Sequence, residues 1–104
     1  MKELRRCAAR GLRGAIIWAS PPAEMPYSLA DYDPFWAAAQ ELAMPLSLHS
    51  ITGMGAESRL AIKQPVDRYL RSTVLCHEVQ RTLVVLIFSG VLERFPHQAC
   101  LRGE

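Results

Sequence analysis

The six residues MPLSLH at positions 44–49 decide the predicted fold of this chain. Pro45 ends the helical pattern before it, because a residue that precedes a proline avoids the helical region of backbone space. The next four residues are typical of a short strand, and a glycine-containing loop is predicted to follow over residues 50–65. We therefore predict a strand over residues 46–49, with His49 at its carboxyl end.

Upstream of this strand, the sequence predicts a helix and another strand. Asp33 followed by Pro34 favours a helix start, with the Asp33 carboxylate as the N-cap, and the helix should run to about residue 43. Its predicted apolar face consists of Phe35, Ala38, Ala39 and Leu42. The apolar run GAIIW at 14–18 lacks alternation, which is typical of a strand covered on both faces in a parallel sheet. Strand, helix and strand in this order form the repeating unit of a parallel α/β fold.

The flanking segments add helices and a third strand. Residues 1–10 have amphipathic helical spacing, and Gly11 stands where a left-handed C-cap would end that helix. A second helical pattern begins at Val66, with an apolar face formed by Val66, Tyr69, Leu70, Thr73 and Val74. It runs into LVVLIF at 83–88, which alone would fit a buried strand equally well. Gly90 predicts a kink or a break, and residues 99–104 predict a third strand.

Composition excludes several classes of protein. The chain has 104 residues and a formal net charge of +2, and its basic residues are scattered among acidic ones, so no stripe suited to nucleic acid can be drawn. Cys7, Cys76 and Cys100 are far apart and odd in number, which indicates free thiols rather than a disulfide framework or zinc finger. No apolar run is long enough for a membrane span and no secretory signal is recognisable, so we expect a cytoplasmic protein.

His49 is the first candidate for chemistry. The carboxyl ends of parallel strands face the ligand site in α/β folds, and an imidazole there can bind a metal or move a proton near neutral pH. The alternative is a histidine that caps the strand through a backbone hydrogen bond. His77, within a helical pattern, and His97, in a turn, are typical of surface residues. The three histidines form no HxH or HExxH pair, so local spacing completes no metal site.

Four segments together resemble the amidohydrolase-related family, which includes metal-dependent hydrolases and nonoxidative decarboxylases. They are GLRGA at 11–15, YDPFWAAA at 32–39, MPLSLH at 44–49 and SGVLERFP at 89–96. The resemblance covers nearly the whole chain, and the last two segments carry most of its specificity. It also favours a helix, which we expect to be fully buried, for the ambiguous run at 83–88, because the family places a helix before the SGVLERFP segment.

The resemblance implies a partial (β/α)8 TIM barrel with about three parallel strands and intervening helices. Residues 1–104 would then be a fragment of one barrel domain, with strand four at 15–18, strand five at 46–49 and strand six at 99–104. His49 matches the family's metal-ligating histidine on strand five. Glu104 falls where relatives carry a histidine or a glutamate, which implies a catalytic role, and Trp18 and Ser20 are placed to line the substrate pocket.

The implied function is that of a fragment of a metal-dependent hydrolase or decarboxylase. The intact relative would use a divalent metal ion, with zinc as our expectation, act on a small-molecule substrate and form a homo-oligomer. The family's HxH pair and its final aspartate have no counterpart in the chain, so we predict no turnover by this chain alone. The alternative from another class is a small non-catalytic α/β module that oligomerises or binds a partner.

Overall fold

The computed structural model describes residues 1–53, 64–97 and 102–103 of the chain. Four α-helices and three strands lie within these ranges, together with a 3-10 turn at Ala30–Tyr32. In chain order the helices and strands are α1 (Lys2–Ala9), β1 (Ala15–Ser20), α2 (Asp33–Glu41), β2 (Leu46–Gly53), α3 (Asp67–Phe88), α4 (Val91–Arg94) and β3 (Arg102–Gly103).

The strands form one parallel sheet in the order β1-β2-β3. Ala15 of β1 pairs with Leu46 of β2, and Leu48 of β2 pairs with Gly103 of β3. The predicted α/β class with three parallel strands is therefore confirmed, and the arrangement is that of a segment of a (β/α)8 barrel. Of the third strand, predicted at 99–104, only residues 102–103 are among the described residues.

The helices pack on one face of the sheet. Leu46 and Leu48 point to this face and are fully buried, beside Ala19 of β1. Their neighbours in the core come from the helices and the segments that connect them, and include Leu4, Trp36, Met44, Val79, Leu86 and Val91. On the opposite face, Ile16 and Trp18 remain 67% and 49% exposed. The prediction that β1 is covered on both faces is wrong for the described part of the chain.

Helix α3 is continuous through the LVVLIF run, as the family resemblance favours. It is not fully buried, because Val84, Ile87 and Phe88 are exposed, whereas Leu86 packs in the core. The apolar face predicted at its start is wrong as well, since Tyr69 is 74% exposed. The observed buried face is formed by Leu75, Val79, Thr82 and Leu86. None of the described helices combines the length and apolarity that crossing a bilayer requires.

Two glycines end or separate helices as predicted. Gly11 has a φ of +85°, and the Leu12 amide donates to the Cys7 carbonyl at 3.1 Å, which closes a Schellman-type end of α1. Gly90 has a φ of +77° and separates α3 from α4, which confirms the predicted break.

The predicted N-cap of α2 is wrong. Tyr32 occupies the cap position without a side-chain cap bond, and Asp33 is the first helical residue. The Asp33 carboxylate instead accepts a hydrogen bond from Arg94 of α4 at 2.9 Å. Because Arg94 also donates to the Ser89 carbonyl at 3.0 Å, this side chain joins two of the four segments that carry the family resemblance.

Candidate functional site

His49 and Trp18 lie side by side on the sheet face opposite the helices. They are register partners on adjacent parallel strands, and both side chains are exposed. Burial alternates along β2, with Leu46 and Leu48 buried and His49 exposed, so the imidazole belongs to the other face. The structure thus brings together two of the predicted site residues in the carboxyl-terminal part of β1 and the middle of β2.

Strand β2 continues four residues past His49, so the predicted strand end at His49 and the predicted loop start at residue 50 are both wrong. The pairing shifts register there: Trp18 pairs with His49, but Ser20 pairs with Gly53. Gly53 has a φ of +128°, and a side-chain carbon at this position would overlap the Ser20 backbone. A glycine is therefore required for β2 to approach the end of β1 so closely.

Side chains hold the end of β1 in place. The Ala19 amide donates to Thr52 Oγ1 at 3.1 Å, and that hydroxyl donates to the His49 carbonyl at 2.6 Å. The Ala19 carbonyl accepts from the Thr82 hydroxyl of α3, and the Trp18 carbonyl accepts from Tyr27 at 2.8 Å. The backbone at the end of β1 is consequently held by hydroxyls from β2, from α3 and from the segment after β1.

Tyr27 belongs to an aromatic cluster under this strand end. It is 6% exposed, and its ring meets Tyr32 and Trp36 at centroid distances of 5.1 and 5.5 Å. Burial raises the pKa of the Tyr27 phenol above its ordinary value of 10.0, so this hydroxyl is a hydrogen-bond donor at neutral pH. Trp36 lies in the core at 1% exposure.

Ser20 lies apart from the His49 face. It is 7% exposed, and its hydroxyl donates to Glu78 Oε2 of α3 at 3.0 Å. Both residues line a pocket of about 170 Å³ between α3 and the proline-rich segment after β1. The structure does not bring Ser20 together with His49, because the Ser20 hydroxyl is directed towards α3.

Trp18 lines a separate, open cleft of about 690 Å³ along the outer edge of β1. Met25, Tyr32 and Phe35 give this cleft apolar walls, and Asp31 is a carboxylate at its border. Asp31 and Asp33 do not act as a pair, since the Asp33 carboxylate is engaged by Arg94. His49 does not line this cleft.

The described residues supply a single metal-ligand candidate on the uncovered face. No group of three His, Cys, Asp or Glu side chains within the described ranges is close enough to hold a metal ion. His77 is on α3, where Nδ1 lies 3.0 Å from Gln80 Oε1, and His97 follows α4. Glu104 lies outside the described residues. His49 therefore fits a metal as one ligand of a larger set rather than as a complete site.

Sequence reasoning missed Thr52, Tyr27, Thr82 and Glu78. Thr52 fell in a predicted loop, and Tyr27 in a segment punctuated by prolines. Each of the four has a partner at least nine residues away in sequence, either a backbone group or a side chain. Only Gly53 carried a local signal, because an isolated glycine at the end of a strand indicates a close backbone approach.

The chain matches a known protein family. A family model described as Amidohydrolase matches residues 1–101. No curated protein matches the chain at a significant level. The matched region contains Trp18, Ser20, Thr52 and His49, and so spans the whole geometry described above.

Proposed function

Since the chain belongs to the amidohydrolase family, we propose that it forms strands four to six of a metal-dependent (β/α)8 enzyme, with His49 as a metal ligand. The family acts on small molecules and generally uses divalent metal ions. Zinc is our choice of metal, because a neutral imidazole suits it well. The reaction would be hydrolysis or nonoxidative decarboxylation.

The observation that carries this proposal is the position of His49. It projects from a parallel strand on the face that the described helices leave uncovered, which corresponds to the interior face of a barrel. A histidine that served only packing would be expected on the Leu46 and Leu48 side, among helix residues. Exposed beside Trp18, it can reach a ligand or a metal.

The remaining residues would have supporting roles. A bound divalent metal would polarise a carbonyl or carboxylate of the substrate, or activate water. Trp18 would provide an apolar wall next to the metal, where a ring or chain of the substrate can pack and water is excluded. Glu104 remains our candidate for a proton-transfer or metal-orienting group. Ser20 would shape the strand end through Glu78 rather than contact the metal.

One ligand does not complete a metal site, because catalytic zinc usually has about three protein ligands. The others would come from barrel strands that match no part of this chain. We therefore expect no metal-dependent turnover by the chain alone, and a metal affinity well below that of a complete site. Robust hydrolysis or decarboxylation by the purified chain would contradict this part of the proposal.

A zinc titration tests the role of His49. Imidazole resonances of His49, His77 and His97 are followed by NMR during addition of Zn²⁺, which separates histidine binding from any binding at cysteine. We expect the His49 resonances to respond at the lowest concentration and the His49→Gln variant to lose that response. His77→Gln is the matched control, since His77 is also exposed but lies on α3. An equal response of all three histidines would refute the proposal.

A further inference from the structure

We infer that Thr52 is a positioning residue for His49, whose hydroxyl joins β1 to β2 where their backbone pairing is interrupted. This inference rests on the proposed role of His49 as a ligand. Thr52 itself would touch neither metal nor substrate. Its effect would pass through the His49 backbone, to which it is directly bonded.

The interruption is visible in the register. Between the pair Trp18–His49 and the pair Ser20–Gly53, β2 advances four residues while β1 advances two. The extra residues of β2 bulge away from the ladder, so regular backbone pairing cannot serve the Ala19 amide. Ala19 is fully buried, and an unpaired buried amide is costly.

The Thr52 hydroxyl fills this gap as a relay. It accepts a hydrogen bond from the Ala19 amide at 3.1 Å and donates one to the His49 carbonyl at 2.6 Å. One oxygen thus links an amide of β1 to a carbonyl of β2, as a ladder bond would do directly. Threonine suits this task because its branched Cβ restricts the rotation of the hydroxyl.

The consequence concerns the direction of the His49 side chain. Binding of the His49 carbonyl fixes the peptide plane that follows this residue, and with it the orientation of the Cα–Cβ bond. The Trp18 carbonyl is held separately by Tyr27 at 2.8 Å. The Trp18 and His49 carbonyls are therefore each held by a hydroxyl, one on each strand.

Substitution of Thr52 tests the inference without any metal. Thr52→Val keeps the shape but removes the hydroxyl, and Thr52→Ser keeps the hydroxyl but removes the methyl. Thr73→Val is the matched control, because the Thr73 hydroxyl donates within α3 to the Tyr69 carbonyl at 3.0 Å, on an exposed surface. The measurements are hydrogen exchange of the Ala19 amide and the nuclear Overhauser contacts between the Trp18 and His49 side chains. We expect such contacts, called the ring contacts below, because the two residues are register partners.

We expect Thr52→Val to speed Ala19 exchange at least about tenfold, because the buried Ala19 amide loses its acceptor. The ring contacts should weaken in this variant, return in Thr52→Ser and persist in Thr73→Val. Unchanged exchange and ring contacts in Thr52→Val would overturn the inference. If Thr52→Val does not fold, Thr52→Ser decides: slow Ala19 exchange supports the relay, and exchange as fast as in an exposed peptide overturns it.

The zinc titration then separates the two proposals. In Thr52→Val the His49 response should require about tenfold more Zn²⁺, a typical effect of losing a group that orients a ligand, and Thr52→Ser should restore it. If Zn²⁺ fails to reach His49 even in the parent chain, the proposed function fails while the exchange data still decide the role of Thr52. Normal zinc binding in Thr52→Val, despite lost ring contacts, would contradict positioning.

Discussion

The two faces of the sheet are built from alternate residues of the same strands, yet they differ in composition and surroundings. The helix-covered face presents Leu46, Leu48 and Ala19, which are fully buried in an apolar core. The other face presents Trp18 and His49, which are exposed side by side. A shift of one residue in the pairing would exchange the two sets, so the sheet register decides both stability and chemistry.

This difference separates residues that stabilise the fold from residues that could serve a ligand. Truncating a side chain on the covered face leaves a cavity in the core. On the open face, water fills the space that the removed atoms occupied. Substitutions on the two faces should therefore affect different measurements. The following predictions use matched pairs to test that separation, from the largest expected effect to the smallest.

The largest effect is expected for Leu48→Ala on the covered face. Because Leu48 is fully buried, its truncation should lower the free energy of unfolding by about 2–5 kcal/mol. Ile16→Ala on the open face is the control, and since Ile16 is 67% exposed, its cost should be below about 1 kcal/mol. Urea unfolding followed by circular dichroism measures both. Equal losses would show that the open face is packed in solution.

A smaller effect is expected for Ser20→Ala at the register shift. Loss of the Ser20–Glu78 hydrogen bond should cost about 1 kcal/mol, since the hydroxyl is buried against α3. Ser89→Ala is the control: the Ser89 hydroxyl is buried with no partner among the described residues, so its removal should cost little or nothing. Both variants should leave the His49 zinc response unchanged. A changed zinc response of His49 in Ser20→Ala would show that Ser20 influences the open face, which would contradict this separation.

The smallest effect is expected on acidification. The hydrogen bond from Arg6 holds the pKa of Glu3 at about 2, below its ordinary value of 4.5. A lowered carboxyl pKa stabilises the folded state above the ordinary value, and this contribution is lost as the pH falls from 4.5 towards 2. Both side chains are exposed, so the loss should be small and should shrink in high salt.

Carboxyl resonances of Glu3 during an acid titration measure this pKa directly. Arg6→Gln should return it towards the ordinary value, while Leu48 and the rest of the covered face keep their resonances. A Glu3 pKa near 4.5 in the parent chain would contradict the ion pair.

The parallel fold and the placement of His49 on the second strand could be predicted from the sequence, because their signals are local. The length of that strand could not, since β2 continues to Gly53. Pro45 ends one pattern, and a short apolar strand begins immediately after it. The helix ends at Gly11 and Gly90 could also be predicted from the sequence, since a left-handed backbone conformation favours glycine. Residues 83–88 have neither helical nor strand periodicity, and there the family resemblance favoured the helix that is observed.

Other features depended on residues distant in sequence. Asp33 has every local mark of an N-cap, but Arg94 lies close enough to take its carboxylate. Helix α3 carries apolar residues on several sides, and periodicity alone could not tell that Leu75 would be buried and Tyr69 exposed. Thr52 looked like part of a loop because nothing local reveals that β2 resumes pairing with β1 after a shift.

The central claim is that His49 projects from the open face as a metal ligand, and Co²⁺ mapping tests it most directly. Co²⁺ accepts the same imidazole ligands as zinc and shifts nearby backbone resonances. We predict the largest shifts at residues 47–50 and at their register partners around Trp18, with none along the Leu75 and Val79 side of α3. Shifts centred on α3, or spread evenly over the chain, would contradict the account.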